Sequence, residues 1–119
     1  MNFTDNKPIY RQIVDFAFNE VTAGHWSPGE RIPSVRELSA DLGVNSRTVL
    51  KAFEDLQDLG LIAPQRGMGF FLATDARERV TAERRRLFFE TTVPGIAAEM
   101  QALGITAEQL ADHIKKHYS

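Results

Sequence analysis

The chain has 119 residues, 43% of them hydrophobic, with no cysteine and a net charge of −2. That length holds one domain or a small domain with an appendage, and the missing cysteines exclude disulfides and thiolate metal sites. No apolar run approaches the roughly 18 residues of a membrane span, and the opening Met1-Asn-Phe-Thr-Asp-Asn lacks a signal-peptide layout, so a cytoplasmic protein is expected.

A first helix is expected over residues 7–23. Pro8 suits its first position, where a missing N–H costs nothing. Ile9, Ile13, Ala17 and Val21 recur at four-residue steps beside Tyr10, Val14 and Phe18, a stripe wide enough for a core helix. Gly24 ends it. Ser27-Pro28-Gly29-Glu30 has the residues of a type II turn, and Arg31-Ile32 leaves room for a very short strand before Pro33.

A second helix is expected over 35–42. Ser34 followed by Glu37 is a capping box: the hydroxyl accepts from the backbone N–H of Glu37, and the carboxylate reaches back. Leu38 and Leu42 share a face, Gly43 supplies a left-handed end, and Val44 is a buried spacer. Asn45 or Ser46 then caps a third helix over 46–59, with Val49, Ala52, Phe53, Leu56 and Leu59 inward and Gly60 as its stop. Helix, glycine turn, helix is the helix-turn-helix signature, whose second helix enters the DNA major groove by its N-terminal end.

Residues 61–64 and 70–73 read as strands around a glycine-rich turn at 65–69, a β-hairpin placed as a wing. Beyond it the character changes. Residues 75–89 form a charged helix pattern with Arg84, Arg85 and Arg86 in succession. Thr91 or Thr92, with Pro94 close behind, is expected to cap another helix carrying Ile96, Ala97, Met100 and Leu103 and ending at Gly104. Thr106 and Gln109 form a second capping box before Leu110, Ala111, Ile114 and Tyr118. These helices are too few and too short to enclose a core, so their apolar faces need the first domain or a second subunit.

The acidic sum weighs against nucleic acid, whose phosphates drive most protein affinity, but distribution matters more. Residues 31–51 hold four basic side chains against two acids, whereas Glu54, Asp55 and Asp58 fall on the far half of the third helix. A basic tip on an acidic body implies modest non-specific affinity and strong salt sensitivity.

Residues 8–72 resemble the winged-helix DNA-binding domain of GntR-family bacterial transcription regulators. The likeness rests on Pro8-Ile-Tyr-Arg-Gln-Ile13, Gly24, and Pro28-Gly29-Glu-Arg31-Ile-Pro33-Ser-Val-Arg36-Glu-Leu-Ser39. It continues through Leu42-Gly-Val44, Arg47-Thr-Val49, Leu56, Gly60-Leu-Ile62 and Gly67-Met-Gly69-Phe-Phe. Asn45-Ser46-Arg47-Thr48-Val49 is similar to the Asn-Pro-Arg-Thr-Val of the YtrA-like branch, with Ser46 in place of the proline. That branch has a short helical dimerisation region instead of a large effector domain, which residues 75–119 match in length and pattern.

The expected architecture is therefore α+β, a winged helix at 1–74 followed by an all-helical dimerisation tail at 75–119. The resemblance implies a homodimeric DNA-binding repressor on a pseudo-palindromic operator, with Arg36 and Arg47 as main DNA contacts. Ser34, Thr48 and Lys51 would bond phosphates, and Arg66 and Gly67 would act at the wing. Asn45 and Ser46 complete the polar tip of the third helix, and Gly69 permits close backbone approach. Geometry agrees for Arg47, since an arginine there can take guanine O6 and N7 together.

Other classes fit less well. No nucleophile elbow, phosphate-binding loop or dinucleotide fingerprint is present, so no catalytic residue, cofactor or enzyme activity is expected. His113 and His117 have metal-ligand spacing, yet no carboxylate or thiol completes a site. Arg84–Arg86 read as a solvated face with Glu83 and Glu90. Phe88-Phe89, Phe70-Phe71 and Trp26 read as core or dimer seam. The alternative function is a protein-interaction module that keeps the scaffold without reading DNA. No small-molecule effector is assigned.

Overall fold

The computed structural model describes residues 7–118; residues 1–6, on which the absence of a leader was read, lie outside these. The chain divides into two compact units, Met1–Ala82 and Glu83–Ser119.

In the first unit, α1 (Ile9–Thr22) turns Ile13, Ala17, Phe18 and Val21 inward. Pro8 is its N-cap, with extended ψ of 146°, and not its first helical residue. The turn at 27–30 closes through the Glu30 N–H and the Ser27 carbonyl at 3.1 Å. Then come α2 (Val35–Leu42) and α3 (Ser46–Asp58). Between them Gly43 takes φ +66°, the left-handed conformation that a residue with a Cβ adopts only under strain.

β1 (Ile62–Gln65) pairs antiparallel with β2 (Gly69–Leu72), Ile62 opposite Leu72 and Gln65 opposite Gly69. The very short strand expected at 31–32 is a single bridge, Arg31 to Phe71, flanked by the Ile32 N–H donating to the Phe70 carbonyl at 2.9 Å. The core joins all these elements. Phe53 is fully buried and meets Phe70 edge-on at 5.0 Å, so α3 and the β-hairpin share one aromatic contact. Trp26 is core, edge-on to Phe16 at 6.3 Å. Val44 and Leu59, expected inward, are half-buried at its margin.

The helix after the wing, α4 (Ala76–Leu87), begins inside the first unit, because Ala76 and Val80 are fully buried there. The units therefore divide at 82/83, within α4, compared with the 74/75 division drawn from the sequence.

Thr91 and Thr92 do not start a new helix. Phe88–Thr92 form a π turn, Thr92 is itself helical, and its side chain caps nothing. The Val93 N–H bonds the Phe88 carbonyl, five residues back. A widened turn is a common answer to a nearby proline, which brings no N–H to the ladder; here Pro94 stands just inside α5 (Val93–Leu103). The capping box at Thr106 and Gln109 opens α6 (Ala107–Lys115) as expected. Among the described residues of the second unit none is buried. No helix of the described chain is long and apolar enough to cross a membrane.

Candidate nucleic-acid interface

The interface is built from two helix starts and one hairpin turn. At the first start the capping box is complete. Ser34 Oγ accepts from the Glu37 N–H at 3.0 Å, and Glu37 Oε1 accepts from the Ser34 N–H at 3.3 Å. The Ser34 hydroxyl proton remains a donor. Glu37 also meets the Arg31 guanidinium at 3.4 Å. Its carboxyl is held below the ordinary carboxylate range, by the Ser34 backbone bond first, then the Ser34 hydroxyl, with Arg31 adding to both. One turn-start acid is thereby engaged from two sides. Arg36 beside it is exposed.

At the second start, three residues after α2 ends, Asn45 is the cap. Its Oδ1 accepts from the Arg47 N–H at 2.8 Å, and its carbonyl accepts from Thr48 and Val49. The N–H of Ser46 keeps no partner among the described residues. Backbone N–H groups and the helix dipole make such an end attractive to an anion. Ser46 and Arg47 are exposed, and Thr48 is half-buried. Lys51 lies one turn further along, its Nζ 4.2 Å from the centre of the Tyr10 ring.

Arg66 and Gly67 occupy the exposed turn between β1 and β2. Gly69 does not belong to that turn. It is the first residue of β2, half-buried at φ +95°, and a Cβ there would meet Arg31 Nε at 3.1 Å.

Among the described residues some cations are tied to acids and others, Arg77, Lys115 and Lys116 included, are not. Lys7, Arg31, Arg79 and Arg86 all hold carboxylates. Arg36, Arg47, Lys51 and Arg66 make no ion pair among the described residues. Arg36 has acids on its own helix at Glu37 and Asp41 yet pairs with neither. The four are free to meet phosphate or base edges without first giving up a carboxylate.

Two features escaped the sequence reading. Tyr10 was counted only toward the apolar stripe of the first helix, and nothing local marks it as the neighbour of Lys51. Arg31 was read as a strand residue and counted among the basic side chains of 31–51, but its pairing with Glu37 at the cap of α2 was not foreseen. No group of three or more His, Asp or Glu able to hold a metal exists among the described residues.

The profile of the bacterial regulatory proteins of the gntR family matches residues 9–72, from the first turn of α1 to the end of β2. The chain belongs to the GntR family. Its likeness to known proteins extends past that segment. The transcriptional repressor YtrA of Bacillus subtilis is 29% identical over 109 residues, covering 92% of this chain and 83% of YtrA, so the tail is matched as well as the winged helix. A GntR-family transcriptional regulator from Listeria monocytogenes is similar in structure, with a TM-score of 0.76 and 34% identity over 96% of this chain and 98% of that one. The DNA-binding domain of AraR in complex with its operator ORR3 superposes with a TM-score of 0.55 and 30% identity, over 61% of this chain and 88% of that one. This GntR-family chain is thus a transcription regulator with a DNA-binding winged helix, and its relatives are regulators, not enzymes.

Proposed function

We propose that the chain is a cytoplasmic repressor that binds a pseudo-palindromic operator as a homodimer, one recognition helix to each half-site. The observation that carries this reading is the set of four cations without ion pairs, Arg36, Arg47, Lys51 and Arg66, on two helix starts and a hairpin turn. Arg47, second residue of α3, reads guanine O6 and N7. Arg36 joins it from α2. Ser34, Thr48 and Lys51 bond phosphates, with Asn45 and Ser46 completing the helix tip. Arg66 and Gly67 follow the neighbouring groove, on a hairpin whose backbone Gly69 shapes.

Dimerisation is supported by the second unit. Phe89 is 60% exposed and Leu103 66%, with Phe88, Val93 and Ile96 exposed beside them. Apolar side chains in that density call for a covering surface, and a second copy supplies one for both chains at once. Repression is supported by the likeness to YtrA, which is named a repressor and matches along nearly the whole chain. A dimer seated on an operator would exclude polymerase.

The test is selection of bound sequences from a random duplex pool, followed by sedimentation of the complex. The expected result is a two-fold symmetric site, half-sites about 34–36 Å apart, carrying two chains. A pool with no enriched sequence, bound weakly and only through salt-sensitive contacts, would contradict operator reading and turn the search to a protein partner.

A further inference from the structure

Lys51 stands on the outer side of the recognition helix, exposed, without an ion pair among the described residues. Its ammonium is not unconstrained, because it sits over the Tyr10 ring at 4.2 Å. Tyr10 is half-buried and packed against the core, so the ring is fixed by α1. We infer that Tyr10 is a positioning residue for DNA binding: its ring holds the Lys51 ammonium in one place on the face presented to phosphate. This inference rests on the operator-binding reading above.

The alternative resting place for Lys51 is Asp55, four residues on along the same helix, a spacing at which opposite charges attract. A carboxylate there would neutralise the ammonium, and phosphate would have to displace it. Asp55 makes no ion pair with Lys51 among the described residues. Arg11 has its pKa raised by the Tyr10 hydroxyl first, with desolvation opposing and smaller contributions from Asp55 and Asp15. Asp55 thus shares its field with Arg11. The Tyr10 ring attracts the Lys51 ammonium by its quadrupole and leaves the full charge in place. A long side chain already confined also loses less rotamer freedom when it meets DNA. One aromatic residue of α1 therefore serves a cation of α3 twice, by confining it and by leaving it charged.

The experiment uses the full chain and its selected duplex. Affinity is measured for wild type, Tyr10→Phe, Tyr10→Leu, Lys51→Ala and the Tyr10→Leu/Lys51→Ala double variant. Proton chemical shifts of the Lys51 ε-methylene are recorded in the DNA-free protein. The expected result is ring-current shielding of that methylene in wild type and Tyr10→Phe and its loss in Tyr10→Leu. Tyr10→Leu weakens binding about two- to five-fold, the scale of an exposed cation–ring contact, and costs nothing further when Lys51 is already alanine. An equal loss in Tyr10→Phe would assign the effect to the hydroxyl and overturn the proposal, as would a Tyr10→Leu cost that persists without Lys51. Unshielded Lys51 protons in wild type overturn it with no variant required. A wild type that binds no duplex ends the operator reading and the positioning role together. A wild type that binds normally, with Tyr10→Leu indifferent, ends the positioning role alone.

Discussion

Arg31 and Glu37 meet at 3.4 Å, and the Arg31 backbone bridges to Phe71 of β2, so one arginine ties the cap of α2 to the root of the wing. The two parts of the interface that lie far apart in sequence are thereby fixed to one another by a residue outside both α2 and the hairpin strands.

Glu37 gives this arrangement a pH dependence. Its folded pKa lies below the ordinary value of 4.5, through the Ser34 backbone bond first, the Ser34 hydroxyl next and Arg31 last. A depressed carboxyl contributes stability that is fully present above its unfolded pKa and is lost as pH falls through the folded one. Wild-type melting temperature should therefore be insensitive to this group above about pH 5 and decline below about 4.5. Glu37→Gln, which keeps the shape and cannot titrate, should show a shallower decline. Thermal melts from pH 7 to pH 3 decide it, and parallel acid limbs would remove Glu37 from the account.

Gly69→Ala should destabilise the first unit. The substitution places a side chain at φ +95° and a Cβ 3.1 Å from Arg31 Nε. Arginine can swing aside, but the backbone strain remains, at roughly 1–3 kcal/mol. Gly67→Ala, at φ +74° with nothing within 4 Å, should be affected by strain alone. Urea titration of both variants gives the comparison, and a Gly69→Ala chain as stable as wild type would contradict the close approach.

Phe53→Ala should cost about 3–5 kcal/mol, the usual range for emptying a buried aromatic site. It also removes the edge-on contact with Phe70, so the hairpin should loosen together with α3. Hydrogen exchange at the Ala73 amide, which donates to the Leu61 carbonyl at 2.8 Å across the hairpin, reads the second effect. Unchanged exchange there would mean that the wing does not depend on that ring.

Ile96→Asp tests the second unit. Ile96 is exposed on α5 among other apolar side chains, and a buried unpaired carboxylate is not tolerated in an apolar seam. Sedimentation velocity should show dimers for wild type and monomers for the variant at equal concentration, with weaker operator binding by the monomer. A wild type that is monomeric throughout would contradict the homodimer directly.

Local signals in the sequence were accurate where the interaction itself is local. Ser34 with Glu37 and Thr106 with Gln109 are capping boxes because their partners lie three residues apart, and both formed. The bounds of α2 agree with the expected 35–42 for the same reason. The hairpin strands differ from expectation by one residue at each end, since cross-strand pairing of Gln65 with Gly69 decides where they stop. Thr91 and Thr92 before Pro94 carry the same letters as a helix start, and only the continuing π turn distinguishes the two outcomes. Burial of Ala76 and Val80 was hidden by the charges around them on α4. The Tyr10–Lys51 contact depends on how α1 crosses α3, which no window of sequence contains.

The measurement that bears most directly on the central claim is Arg47→Ala on the selected operator and on each of its single-base variants. Arg47 is exposed and without an ion pair at the second position of α3. The prediction is a loss of about 1–3 kcal/mol on the operator with preference relaxed at one base pair per half-site, while Lys51→Ala weakens every duplex alike and lowers the salt slope by about one. An Arg47→Ala chain that keeps wild-type affinity and the full base preference would contradict the reading of DNA by this helix.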